Sequence, residues 1–91
     1  MDLKNILEIL VKGIVQTEDE VVIVETEEQI LHVLGDSTLK KNAVNFKIKV
    51  KREEFSLLIG KGGSTIKALR VVMSKLAGKQ KLMAFVDLDE E

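Results

Sequence analysis

Ninety-one residues, 45% of them apolar and 32% charged, describe one domain with a modest core and exclude a disordered chain. The absence of cysteine excludes a disulfide framework, a zinc site and thiol chemistry, and fits a reducing cytoplasm. The formal net charge of −1 conceals a segregation: residues 1–38 carry two lysines against nine acids, residues 39–81 twelve basic side chains against two glutamates, and residues 82–91 four acids.

These segments therefore carry −7, +10 and −4, so a polyanion fits the middle of the chain, and the acidic flanks limit indiscriminate binding. No apolar run approaches the roughly 20 residues that span a bilayer, and no export leader is evident at the start. The expectation is a cytoplasmic protein without a membrane partner.

From Asp2, a reasonable N-cap, to about Gln16, Leu3, Ile6, Leu7, Leu10 and Ile14 recur at helical spacing, widened by Ile9, Val11 and Val15. So broad a stripe is either deeply packed or in excess of what a small domain covers. Glu18-Asp19-Glu20 ends the pattern, and the β-branched run Val21 to Thr26 reads as a strand. Residues 27–42 admit two readings. Thr26 to Gln29 matches a capping box, which with Gly35 behind it makes Ile30 to Leu34 a short helix; alternatively they are the return strand of an extra hairpin turning at Glu27-Glu28, and the reading inclines to strand. Gly35-Asp36-Ser37 is a turn, and Thr38 to Asn42 is expected as a polar loop.

Val44, Phe46, Ile48 and Val50 alternate with Asn45, Lys47, Lys49 and Lys51, the pattern of a half-buried strand. The lysines on its outer face read as solvated surface or edge protection. Arg52-Glu53-Glu54 opens a short helix, its acids favoured by the helix dipole, with Phe55, Leu58 and Ile59 turned inward and Gly60 as its stop. The following helix, Ser64 to Ala77, is expected to bury Ile66, Leu69, Val72, Met73 and Leu76. Gly78-Lys79-Gln80 links it to a last strand, Leu82 to Leu88, that presents Leu82, Ala84, Val86 and Leu88 on one face, followed by an acidic tail over 87–91. The strands flanking the two helices are joined by about thirty residues, enough for a right-handed crossover that leaves them parallel and adjacent.

Between these helices lies Ile59-Gly60-Lys61-Gly62-Gly63-Ser64-Thr65. Three glycines permit positive φ and close approach of another molecule, and the next helix directs its first N–H groups and positive dipole end at the turn, so a phosphate is the natural guest. A Walker A loop requires Gly, four residues, then Gly-Lys-Ser/Thr, whereas Lys61 precedes the glycine pair; a dinucleotide fingerprint requires a glycine where Thr65 stands and a strand before the loop. What remains is helix, Gly-x-x-Gly, helix.

This pattern resembles the KH domain of RNA-binding proteins, whose GXXG loop clamps a short run of single-stranded nucleotides. With an extra helix and strand N-terminal to the β-α-α-β core, the chain is similar to the type II KH fold: an α+β domain over 1–91, ordered α-β-β-α-α-β, with a three-stranded mixed sheet and helices on one face. From Lys51 to Val72 it is most similar to small stand-alone bacterial KH proteins of the KhpA type. Two departures are the longer stretch before Val44 and the more acidic ends. The resemblance implies a cytoplasmic binder of single-stranded RNA acting as an RNA chaperone or post-transcriptional regulator, paired as a homodimer or with another KH protein. It places RNA at Ile59, Gly60, Lys61, Gly62, Gly63, Ser64, Ile66, Lys67 and Arg70: N–H groups from Lys61 to Ser64 meet the backbone, Ile59 and Ile66 floor an aliphatic groove, and Lys67 and Arg70 reach phosphates from its rim.

No tryptophan or tyrosine is present and the three phenylalanines sit at core positions, so no aromatic stacking platform is expected. His32 is single and reads as structural. Without a histidine, cysteine or paired-carboxylate constellation near the loop, neither an enzyme, a metal site, a cofactor nor a small-molecule substrate is expected. The rival reading keeps the KH fold as a protein-interaction module or ribonucleoprotein subunit, docking through the first helix.

Overall fold

The computed structural model describes residues 2–90. Its elements are α1 (Leu3–Lys12), β1 (Val22–Leu34), β2 (Ser37–Lys49), α2 (Phe55–Ile59), α3 (Ser64–Lys79) and β3 (Leu82–Leu88), with single 3-10 turns at Glu18–Glu20, Arg52–Glu54 and Lys61–Gly63. The sheet order is β1-β2-β3, with β1 antiparallel to β2 and β2 parallel to β3. The three α-helices cover one face, as the type II KH fold requires. The parallel pairing across the helix pair follows from the crossover length.

Residues 27–42 form neither a short helix nor a separate hairpin. β1 runs through Glu27-Glu28 without a turn and pairs with β2 residue for residue from Val22↔Lys49 to Leu34↔Ser37. The hairpin turns at Gly35-Asp36, where Gly35 has φ 60 and occupies the first central position of a two-residue link, the position that II′ turns reserve for glycine. Thr38 to Asn42, expected as a loop, is strand. Cross-strand pairing overrode the weak local signal of Thr-Leu-Lys-Lys-Asn.

Asp2 caps α1 by accepting from Lys4 N and Asn5 N at 3.1 and 3.3 Å, but the helix ends at Lys12, a turn earlier than the apolar spacing implied. Leu3, Leu7, Val11 and Val15 are buried and Ile6, Leu10 and Ile14 pack partly against the core; only Ile9 is largely exposed, at 62%. The broad stripe is therefore mostly absorbed within the domain, which removes most of the surface expected to dock a partner.

The core joins these side chains to Ile23, Val44, Phe46, Ile48, Leu58, Ile66, Leu69, Met73 and Val86. Three residues expected to face inward lie elsewhere: Ile59 is 38%, Val72 42% and Phe85 40% exposed. The α3 stripe instead runs Ile66, Leu69, Met73, Ala77. Phe85 lies one residue out of phase with the inward Ala84 and Val86, so the pleat turns it to the outer face of β3.

Lys47 and Lys49 of β2 alternate with the inward Phe46 and Ile48, with Lys49 next to Asp89 at 3.5 Å and Lys51 beyond the strand next to Glu20 at 3.1 Å. The hydrogen bond and charge of Glu20 raise the Lys51 pKa.

Candidate nucleic-acid interface

Gly60 ends α2 with φ 74 and ψ 173, a backbone region that essentially only glycine occupies. A Cβ on Gly60 would collide with the Thr65 hydroxyl and lie 2.8 Å from both Thr65 Cβ and Thr65 N. Gly62 and Gly63 also have positive φ, 63 and 80, but Gly62 has open space where a Cβ would stand, and Gly63 has only Lys67 Cε within reach, at 3.7 Å. The glycines thus divide: Gly60 lets the chain fold tightly against the start of α3, while Gly62 leaves the loop crest bare.

The loop closes on itself as a 3-10 turn, with Gly63 N–H donating to Gly60 O at 3.1 Å and Ser64 N–H to Lys61 O. Of the four N–H groups expected to face a phosphate, those of Gly63 and Ser64 are therefore engaged in the loop. The N–H groups of Lys61 and Gly62 have no partner among the described residues. No side chain caps α3, so its positive end faces the loop unneutralised. Lys61 and Lys67 are exposed beside it.

Below the loop runs a groove of about 390 Å³, lined by Ile59, Ile66, Arg70, Lys47, Asp87, Leu88 and Glu90. Ile66 is buried and forms the floor, and Ile59, 38% exposed, forms a wall. Arg70 does not project freely from the rim. Its Nε donates to Val86 O at 2.9 Å and its Nη2 to Asp87 Oδ1 at 3.0 Å, which ties α3 to the free edge of β3. Lys47, read as plain surface, contributes to the groove where β2 and β3 end, and Asp87 and Glu90 make that end mixed in charge. These contributions were not legible in the sequence, because they depend on the β2–β3 register that sets Lys47 opposite Asp87.

Glu54 is a second residue that acts otherwise than expected. Instead of serving the helix dipole from the surface it is buried, and its Oε1 accepts from Gln16 N, Thr17 N and Thr17 Oγ1 at 2.9, 2.9 and 3.0 Å. It clamps the α1–β1 connection to the start of α2 and so fixes the helix that delivers the loop. Replacing Glu54 with Ala leaves two part-buried N–H donors unpaired and empties the space of a buried side chain, and is expected to cost about 2–3 kcal/mol. Glu54→Gln, which retains an acceptor oxygen, should cost visibly less in a thermal melt; equal losses would mean that the contacts contribute nothing.

Among the described residues there is no group of three or more metal-ligating side chains, and no helix is long and apolar enough to cross a membrane.

Residues 4–88 match the family model described as KhpA/KhpB, KH domain. Over 79 residues, 87% of this chain and 89% of the relative, the sequence is 34% identical to the RNA-binding protein KhpA of Thermotoga maritima. No solved structure matches the chain significantly.

Proposed function

The chain belongs to the KhpA/KhpB KH-domain family, and on that premise we propose that it binds single-stranded RNA at the Gly60–Gly63 loop, without catalysing a reaction. The observation that carries the reading is the bare crest at Gly62, flanked by Lys61 and Lys67 and backed by the uncapped end of α3. A sugar-phosphate backbone approaches there without steric hindrance, meets two N–H donors and a helix dipole, and is neutralised by mobile lysine charges. Bases then enter the groove over Ile66 and beside Ile59, where aliphatic contact and polar edges replace aromatic stacking. Arg70, on α3 with its guanidinium held by Val86 and Asp87 of β3, reads or supports a base and serves the phosphates less directly than Lys67.

One module that contacts about four nucleotides binds weakly. A small protein of this kind gains avidity by pairing with itself or with another KH protein, and a cytoplasmic RNA chaperone or post-transcriptional regulator is the role that weak, sequence-tolerant binding suits. A docking role through the first helix has lost its main support, since that helix buries most of its stripe.

Titration with a short single-stranded oligoribonucleotide, followed by backbone amide shifts, tests the placement. The largest shifts are expected from Ile59 to Lys67 and along Val86-Asp87, with none at the hairpin turn; shifts confined to the outer face of the sheet would refute it.

A further inference from the structure

Neighbouring large apolar side chains are strongly exposed at the far end of the hairpin, where Leu31, Val33 and Leu34 are 57, 72 and 63% exposed. The cause is a mismatch of lengths. Thirteen-residue strands reach about 43 Å, whereas the 10 residues of α1 and 16 of α3 rise only about 15 and 24 Å, so no helix covers the hairpin tip.

β1 is an edge strand along its whole length. The devices that keep edges from pairing are lysine, proline and bulges. Charged side chains in general serve the same end, and Glu25, Glu27 and Glu28 supply them over the first half of β1; from Gln29 to Leu34 no such device is present, and the register with β2 is unbroken. The opposite edge of the tip differs. β3 pairs with β2 only from Asn42 onward, but the uncovered stretch of β2 is guarded by Lys40 and Lys41. The unguarded edge is that of β1.

Its sequence also selects a partner. Glu25, Glu27 and Glu28 disfavour a polyanion along the middle of the strand, while Ile30-Leu31-His32-Val33-Leu34 is symmetric in character about His32. Antiparallel pairing of this stretch with itself sets Ile30 against Leu34 on one face and Leu31 against Val33 on the other, an isologous contact about a two-fold axis. A register centred on Glu28 would instead oppose like charges, and one centred on Ile30 would set Glu27 against Val33. We infer that Ile30 to Leu34 is a self-pairing edge that adds to the same segment of a second copy, with the two-fold axis through His32.

This gives the pairing proposed above its surface, yet it stands apart from the RNA site. The tip and the loop lie at opposite ends of β2, roughly 40 Å apart along the strand. Both grooves of such a dimer remain open.

The test is sedimentation of the full chain, alone and as L31K/V33K, at up to about 100 μM, where a weak specific dimer is populated. The unmodified chain should dimerise, and the double variant, which opposes lysine to lysine on both sides of the axis, should dissociate at least about 30-fold more readily. Circular dichroism checks that the variant stays folded. In the otherwise cysteine-free chain, His32→Cys should yield a covalent dimer with a short thiol cross-linker, and Lys75→Cys on exposed α3 should not. A chain monomeric throughout the range, a dimer indifferent to the lysines, or cross-linking of the His32→Cys chain no greater than that of the Lys75→Cys chain each overturns the inference. K61D/G62D should lose RNA and still dimerise, so failure of the RNA reading and failure of this one give different results.

Discussion

Replacing Lys61 and Gly62 together with aspartate is expected to weaken binding of single-stranded RNA by about 100-fold, or roughly 3 kcal/mol, while the domain stays folded. The change removes one cation and places two carboxylates on the crest that the phosphates are proposed to approach, beside the N–H groups of Lys61 and Gly62, which have no partner among the described residues. The fold tolerates it because Lys61 is exposed and nothing lies within 4 Å of where the Gly62 Cβ would stand. The remaining cost is the positive φ at residue 62, which aspartate accepts better than most residues, at about 1 kcal/mol. Fluorescence anisotropy with a labelled oligonucleotide, paired with a thermal melt, separates the two effects. Unchanged affinity in the folded variant would place the RNA elsewhere.

Gly60→Ala should behave in the opposite way, with its main effect on stability. The φ and ψ of 74 and 173 cost a non-glycine residue about 1–3 kcal/mol before any contact is considered. The new methyl then meets Thr65 not only at its hydroxyl, which could rotate, but at its Cβ and backbone N, which could not move without shifting the first turn of α3. A total near 4 kcal/mol is a large share of the 5–15 kcal/mol that stabilises a domain of this size, and corresponds to a fall in Tm of roughly 15–30 °C. Gly62→Ala, with the same chemical change and no neighbour, should cost only about 1 kcal/mol. Similar melting points for the two variants would show that the Gly60–Thr65 approach is not what holds the loop.

The two variants separate the glycines of the loop, Gly60 being required by its close approach to Thr65 and Gly62 having open space where a Cβ would stand. The groove end carries negative charge, where Asp87 holds Arg70 and Glu90 lines the wall. On the proposed placement, Asp87 and Glu90 would favour RNA that engages the loop over RNA attracted only to a basic surface.

The amino-acid sequence by itself determined the parts whose physics is local. The spacing of Leu3, Leu7 and Val11, the alternation from Val44 to Val50, and the impossibility of continuing a helix through Gly60-Lys61-Gly62-Gly63 each follow from short-range sterics and periodicity. They suffice for the element order, the parallel β2–β3 pair and the family. Where two local readings had similar energies, only the tertiary structure decided. Residues 27–42 became the arm of one long hairpin because β2 offered an uninterrupted ladder, worth more than a single capping box. The surplus apolar surface lies at that arm and not on α1, because helices rise about 1.5 Å per residue and strands more than twice as much, a ratio no residue announces. Glu54 and Arg70, both read as surface charges, found partners 37 and 16 residues away in Thr17 and Val86. Such pairings depend on which elements the fold brings together, and a sequence read along its length carries no term for them.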